Sequence, residues 1–134
     1  MLFPPDSIAI SKSGTIGRLG IIANEMCGNR AVINIVPYRN ELLGFIYCYL
    51  KYRQNDFPNL AVGSVQKNLY VSILEELKIQ KPYEDYWKAF HQISNSFLSK
   101  IKKNCFEIQA LSSLRDTLLP KLMSGEIDVS EVEV

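Results

Sequence analysis

Residues 11–18 of the chain read SKSGTIGR, a basic, hydroxyl-rich turn with two glycines between two apolar runs. The run before it, SIAIS at 7–11, and the run after it, GRLGIIA at 17–23, have the apolar and β-branched character of short strands. A third run of this kind, AVINIVP, follows at 31–37. The turn and its flanks therefore predict a small sheet of three short strands in the first third of the chain.

The pattern changes to helical spacing after residue 40. The segment ELLGFIYCYLKYRQ at 41–54 predicts an amphipathic helix packed against the sheet. A polar loop marked by Pro58 and Gly63 follows, and Ser72 with Glu75 has the spacing of a capping box at the start of a second, short helix. The apolar stripe of the first helix is expected to consist of Leu42, Phe45, Ile46, Tyr49 and Leu50.

The last third of the chain predicts one long helix. Residues 83–124 contain neither proline nor glycine except Pro120, and a helix of about 40 residues is roughly 60 Å long. Pro120 is expected to kink or end this helix, and Gly125 to close it. The predicted fold class is α/β: a small mixed sheet with packed helices, followed by one long, protruding, coiled-coil-like helix. The predicted divisions are residues 1–82, the helix at 83–124 and an acidic tail at 125–134.

Apolar residues of the long helix repeat every seven positions, which predicts packing against another long helix. Burial of the stripe in the chain's own core is the alternative, but a domain of this size is too short to cover it. Asn104 is a polar residue of the kind that fixes register or partner choice. The heptads fit parallel and antiparallel pairing equally. The expected pairing interface consists of Phe90, Phe97, Ile101, Asn104, Ile108, Leu111, Leu118 and Leu122, with Ile93 and Leu114 beside them.

Composition indicates a globular protein. The chain has 134 residues, 47% of them hydrophobic, and a net charge of +1, which is enough for one domain with a real core. Residues 1–82 carry nine basic and six acidic side chains, so the front part is mildly basic. Cys27, Cys48 and Cys105 lie far apart, which fits a reducing cytoplasm better than a disulfide framework or a zinc site. No apolar run approaches the roughly 20 residues of a membrane span. The sequence therefore predicts a soluble, cytoplasmic protein.

Two polar loops are candidates for nucleic-acid contact. SKSGTIGR contains neither GxxxxGK[ST] nor GxGxxG, which disfavours a bound nucleotide. Its side chains, and those of GSVQKN at 63–68, suit phosphate oxygens and base edges. Each loop also has a plainer interpretation, as a solvated hairpin and as a polar connection between helices. The candidate contacts are Lys12, Ser13, Thr15 and Arg18 in the first loop and Gln66, Lys67 and Asn68 in the second.

Catalytic chemistry is poorly represented in the sequence. His91 is the single histidine and lies in the long helix without a nucleophile or carboxylate at useful spacing. The sequence shows no cluster of metal ligands, no nucleophile elbow and no methyltransferase cofactor motif. We therefore expect a protein that has no active site of its own, no metal and no cofactor.

The order of these features resembles the DNA specificity subunit of type I restriction-modification enzymes. The resemblance rests on SKSGTIGRLG, AVINIVP, FIYCYLKY and GSVQKNLYVSILEELKIQKP, and above all on LRDTLLPKLMSGEI at 114–127. It implies that residues 1–82 are the later part of one target-recognition domain and that the earlier part is missing. One departure is PYEDYWKAF at 82–90, where the family often has an EQ pair after the proline.

The resemblance also implies a function. It implies a non-catalytic module, or half-module, that binds duplex DNA, with the long helix acting as a spacer that holds adenine methyltransferase subunits. S-adenosylmethionine and ATP would then be bound by partner subunits. The helix would pair with a second copy or with another specificity fragment. The alternative is a truncated fragment that does not bind DNA and only self-associates through its helix.

Overall fold

The computed structural model describes residues 1–80 and 82–127. The chain divides into two compact units, Met1–Ser96 and Phe97–Val134. The first unit contains the strands, the short helices and the first turns of the long helix. The second unit consists, in its described part, of the rest of that helix and the turn that closes it. The predicted α/β fold with a long C-terminal helix is confirmed.

The three predicted strands form one sheet. Its order is β3 (Leu19–Ile21), β2 (Ile8–Ser11) and β5 (Val32–Ile35), with β2 in the centre. Both pairs are antiparallel, so the sheet is antiparallel rather than mixed. Strands β2 and β3 are joined by the short connection at 12–18, whereas a parallel pair needs a crossover of a dozen or more residues.

A second, two-stranded ribbon was not anticipated from the sequence. Strand β1 (Leu2–Phe3) pairs antiparallel with β4 (Met26–Cys27). Two-residue strands carry no periodic signal, so their pairing depends on the tertiary structure. Gly28 follows β4 where an added Cβ would lie 2.6 Å from the Phe3 ring, so the ribbon requires a residue without a side chain at this position.

The core of the first unit lies between the sheet and the short helices. The main buried hydrophobic side chains of the sheet are Ile8, Ile10 and Ile33, which come from β2 and β5. Helix α1 (Leu43–Tyr52), which packs on β3, contributes the buried Leu43 and Leu50, and helix α2 (Phe57–Leu60) contributes Phe57, which is fully buried. Burial of a side chain such as Phe57 stabilises the fold by about 1.5–3 kcal/mol.

Helix α1 uses its apolar surface differently from the prediction. Leu43 and Leu50 are the buried leucines of this helix, whereas Leu42 is only half-buried. Phe45, a member of the predicted stripe, packs edge-to-face against Trp87 and Phe90 at the start of the long helix, with ring centroids 5.7 and 6.3 Å away. The stripe therefore packs on the first turns of the long helix as well as towards the core. Helical spacing in the sequence does not show which residues of the stripe face the core and which face the long helix.

The predicted capping box is wrong. Helix α3 (Val71–Glu75) has Tyr70 at its N-cap, and no side chain caps it. Ser72 lies inside the first turn instead of before it, so its hydroxyl is not placed to accept from the exposed backbone N–H groups. The backbone N–H of Leu69, two residues before the helix, donates to the Lys12 carbonyl at 2.8 Å.

The long helix, α4 (Glu84–Met123), has 40 residues and no buried residue. It continues through Pro120 and ends three residues later, so Pro120 does not end it. Gly125 takes a positive φ of 75°, and the N–H groups of Glu126 and Ile127 donate to the carbonyl of Lys121 at 3.0 and 3.3 Å. This is the glycine-dependent C-terminal closure that the sequence predicted. Of the predicted acidic tail, residues 128–134 lie outside the described residues.

Candidate nucleic-acid interface

The turn at 11–18 is organised by Ser11. Its backbone N–H donates to the Arg18 carbonyl at 2.9 Å, and its carbonyl accepts from the N–H of Gly17 at 2.9 Å. Its hydroxyl donates to the Thr15 carbonyl and accepts from the Arg18 N–H. Because Ser11 is fully engaged within the turn, the groups of this turn left for a ligand are the neighbouring side chains.

Gly17 fixes this turn against the core. Its φ is 85°, and an added Cβ would lie 3.1 Å from both the Gln54 carbonyl and Phe57. Gly14 also has a positive φ, 69°, but nothing lies within 4 Å of its Cβ position. The two glycines therefore have different roles: one allows close packing, and the other allows only the turn.

The loop at 62–68 is closed by backbone pairing. The N–H and C=O groups of Val62 and Asn68 bond to each other at 3.0 and 2.9 Å, and the Asn68 side-chain amide donates to the Gln66 carbonyl at 3.2 Å. The predicted base contact of Asn68 thus competes with a structural hydrogen bond. Gln66 and Lys67 are exposed, and Val65 at the tip is fully exposed.

Lys12 joins the two polar loops. Its carbonyl accepts from the N–H of Leu69 at 2.8 Å, directly after the second loop, and its own N–H donates to the Ala31 carbonyl at 2.8 Å. Its Nζ lies 5.8 Å from the ring centroid of Tyr70, within the range of a cation–π contact. The structure therefore brings the predicted residue Lys12 to the second loop. Ser13, Thr15 and Arg18 remain within the first loop, where Thr15 and Arg18 are exposed.

A groove of about 690 Å³ opens beside Lys12. It is bounded by segments 28–34 and 69–72, and its lining contains two cationic side chains, Lys12 and Arg30, and no carboxylate. Sequence reasoning missed this site because it treated residues 28–34 only as a strand and its turn. The string GNRAVIN at 28–34, with one arginine and two asparagines, was the sequence feature that could have indicated this site. The remaining polar side chains of the groove are Asn29, Asn34, Tyr70 and Ser72.

The predicted helix-pairing residues lie on an exposed stripe of α4. Phe97 is 64% and Leu111 58% exposed, which is unusual for large apolar side chains. Phe90 differs, since its ring contacts Phe45 of the same chain. The other members of the predicted interface are also exposed: Ile101, Asn104, Ile108, Leu118 and Leu122.

No catalytic arrangement is visible in the described part of the chain. Groups of three or more His, Cys, Asp or Glu side chains able to hold a metal ion do not occur within residues 1–80 and 82–127. His91 lines a cavity of about 720 Å³ together with Trp87, Lys88 and Gln92. A hydrogen bond to Asp56 raises the pKa of Arg53 above its ordinary value, and this pair lies in the turn after α1. Among the residues that the structure describes, none of the helices is long and apolar enough to cross a bilayer.

Comparison with known proteins identifies the family. The sequence model described as "Type I restriction modification DNA specificity domain" matches residues 1–113. The chain belongs to this family. The resemblance noted in the sequence is therefore confirmed, although the match ends before the string at 114–127.

Curated members of the specificity-domain family include two relatives of this chain. It is 31% identical over 117 residues to the type I restriction enzyme MjaIX specificity subunit of Methanocaldococcus jannaschii, covering 76% of this chain and 27% of that subunit. It is 28% identical over 127 residues to the type I restriction enzyme HindI specificity subunit of Haemophilus influenzae, covering 92% of this chain and 28% of that subunit. The chain thus spans little more than a quarter of the length of these specificity subunits.

A solved specificity subunit has the same fold. The crystal structure of the type I restriction-modification system S subunit from M. genitalium aligns with a TM-score of 0.65 at 22% identity. The alignment covers 90% of this chain and 33% of the S subunit chain. At this level of identity, the similarity concerns the arrangement of the strands and helices of the specificity domain.

Proposed function

We propose that the chain is a DNA-specificity module, or half-module, of a type I restriction-modification enzyme. The observation that carries this proposal is the family match over residues 1–113, which includes both polar loops and the strands between them. The geometry supports it, because the backbone of Lys12 holds the two loops together in one unit. The mild excess of basic residues in 1–82 favours a polyanionic partner.

In this proposal the module is not an enzyme and selects the DNA target for other subunits. Methyl transfer from S-adenosylmethionine and ATP-dependent cleavage would belong to partner methyltransferase and restriction subunits. The exposed stripe of α4 would pair with a second copy or with another specificity fragment. The cytoplasm, where its three exposed free cysteines would stay reduced, would be its location.

Binding to fluorescein-labelled duplex DNA, followed by anisotropy over a series of salt concentrations, tests the proposal. Because phosphate contacts release condensed counterions, the affinity should fall steeply as salt rises. Lys12→Gln, Arg18→Gln and Lys67→Gln should each reduce the slope if the side chain contacts a phosphate. A wild-type chain that does not bind duplex DNA would contradict the proposal and favour a fragment that only self-associates. A flat salt dependence would remove the three basic residues from the contact list.

A further inference from the structure

The groove beside Lys12 is built by four parts of the chain that are separate in sequence: residues 1–3, Lys12, residues 28–34 and residues 69–72. The N–H of Lys12, directly after β2, donates to the Ala31 carbonyl, and the Lys12 carbonyl accepts from the N–H of Leu69, so the Lys12 backbone links both walls. Asn29 shapes the first wall, since its side-chain oxygen accepts from the N–H of Ala31 at 2.8 Å. The buried side chain of Leu69 anchors the second wall. The groove is therefore part of the folded framework and does not depend on a free loop.

The charge of the groove favours an anion. Its lining carries the cations Lys12 and Arg30 without a carboxylate among them. The Lys12 ammonium lies over the ring of Tyr70, another residue of the groove lining, 5.8 Å from the ring centroid. Arg30 is exposed and has no ion pair in the described residues, so its guanidinium is available. The two cations of this groove suit phosphate oxygens of a nucleic-acid strand.

Asn34 adds a group that can distinguish bases. It lies on β5 and lines the groove, and its amide makes no hydrogen bond within the part of the chain that the structure describes. Its side-chain nitrogen is 3.4 Å from the position that a Cβ of Gly28 would occupy. The Phe3 ring packs on the same Gly28 position, so it borders the amide on this side of the groove. An asparagine amide can form two hydrogen bonds with the N6 and N7 atoms of adenine.

We propose that this groove is a DNA-binding surface in which Lys12 and Arg30 contact phosphates and Asn34 contacts a base edge. The inference rests on the proposed function, which already includes Lys12, and adds two residues that are absent from the sequence-based contacts, Arg30 and Asn34. The open, cationic form of the groove fits a strand of duplex DNA that lies along the surface.

Arg30→Gln with Arg39→Gln as its matched control tests the phosphate contact. Both arginines are exposed and both variants lose one positive charge, but Arg39 lies beside Tyr38 and does not line the groove. We expect Arg30→Gln to weaken duplex binding about three- to tenfold at low salt and to reduce the salt slope by about one. Arg39→Gln should change the affinity by less than about twofold, as expected of a charge far from the bound phosphates.

Selection from a library of random duplexes, with sequencing of the bound fraction, tests the role of Asn34. The wild-type chain should enrich one base at the position that Asn34 contacts, and Asn34→Ala should lose that preference while others remain. Asn34→Asp keeps the side-chain size and places a negative charge in the groove, so it should bind duplex DNA more weakly than Asn34→Ala. Thermal unfolding of each variant shows whether the fold is retained.

The outcomes separate this inference from the proposed function. If the wild-type chain binds duplex DNA but Arg30→Gln behaves like Arg39→Gln, the groove assignment is wrong and the specificity module stands. If both Asn34 variants select the same sequences as the wild-type chain, the base contact is wrong. If the wild-type chain does not bind duplex DNA, the proposed function fails and the groove assignment fails with it.

Discussion

At the scale of single residues, some polar side chains of the two loops stabilise the loops themselves, although their residue types suggest ligand contacts. Ser11 satisfies the backbone of its own turn, and Asn68 donates to the Gln66 carbonyl. Only the side chains beyond these bonds are free to bind another molecule, as at Gln66 and Lys67. Counting the polar residues of a loop therefore overestimates how many side chains can bind a ligand, because side-chain hydrogen bonds to the backbone compete with binding.

Gly17→Ala is expected to destabilise the protein by about 2–3 kcal/mol, more than Gly14→Ala, which should cost about 1–2 kcal/mol. Both positions have positive φ, but only at Gly17 would the new methyl group press on the Gln54 carbonyl and Phe57. Urea denaturation of the two variants measures the difference. Equal losses would show that close packing at Gly17 is not important.

At the scale of elements, α4 is unusual because it has no buried residue along 40 residues. Its exposed apolar stripe repeats at heptad spacing, and such a stripe is normally covered by another helix. The contact of Phe90 with Phe45 shows that the first turns belong to the fold of the first unit. The interface available to a partner helix therefore begins after these turns, and Phe97 is its first large member in the second unit.

The double substitution Phe97→Asp with Leu111→Asp should convert a self-associated chain to monomers. The aspartates would have to be buried in an apolar seam, which costs several kcal/mol per charge. Ser99→Asp with Ser113→Asp is the matched control: both serines are exposed, and each lies two residues further along, about 200° around the helix. Light scattering coupled to size-exclusion chromatography measures the mass. Dimers that survive the first pair of substitutions would contradict the assignment of the seam.

At the scale of the whole molecule, the charge distribution and the family membership both support the proposed function. The net charge of +1 is the sum of a basic excess in residues 1–82 and an acidic excess in residues 83–134. The family match covers residues 1–113, so it includes the front unit and the first part of α4. The basic excess therefore lies in the part of the chain for which we propose the DNA contact.

A tagged chain recovered from a lysate of its own host should bring down an adenine methyltransferase subunit, identified by mass spectrometry. Recovery should be weaker for the Phe97→Asp and Leu111→Asp variant if the helix seam also holds the partner, whereas the serine control should behave like the wild-type chain. Recovery of the chain alone would contradict assembly with a methyltransferase.

The sequence by itself determined the features that depend on local patterns. The three strands, the amphipathic α1, the long α4 and its closure at Gly125 follow from strand composition, helical spacing and turn chemistry. These are properties of neighbouring residues, so they can be read without knowing the fold. The family was also identifiable from the sequence, because its motifs keep their order along the chain.

Only the tertiary structure decided which residues share a site. Lys12, Arg30, Asn34 and Tyr70 come together because backbone hydrogen bonds join segments about 20 and 60 positions apart, and no periodicity encodes such pairing. The same reason explains the missed β1–β4 ribbon and the absent capping box, where long-range contacts set the chain path. Local patterns thus fix the elements, and long-range hydrogen bonds and packing determine which of their side chains face one another.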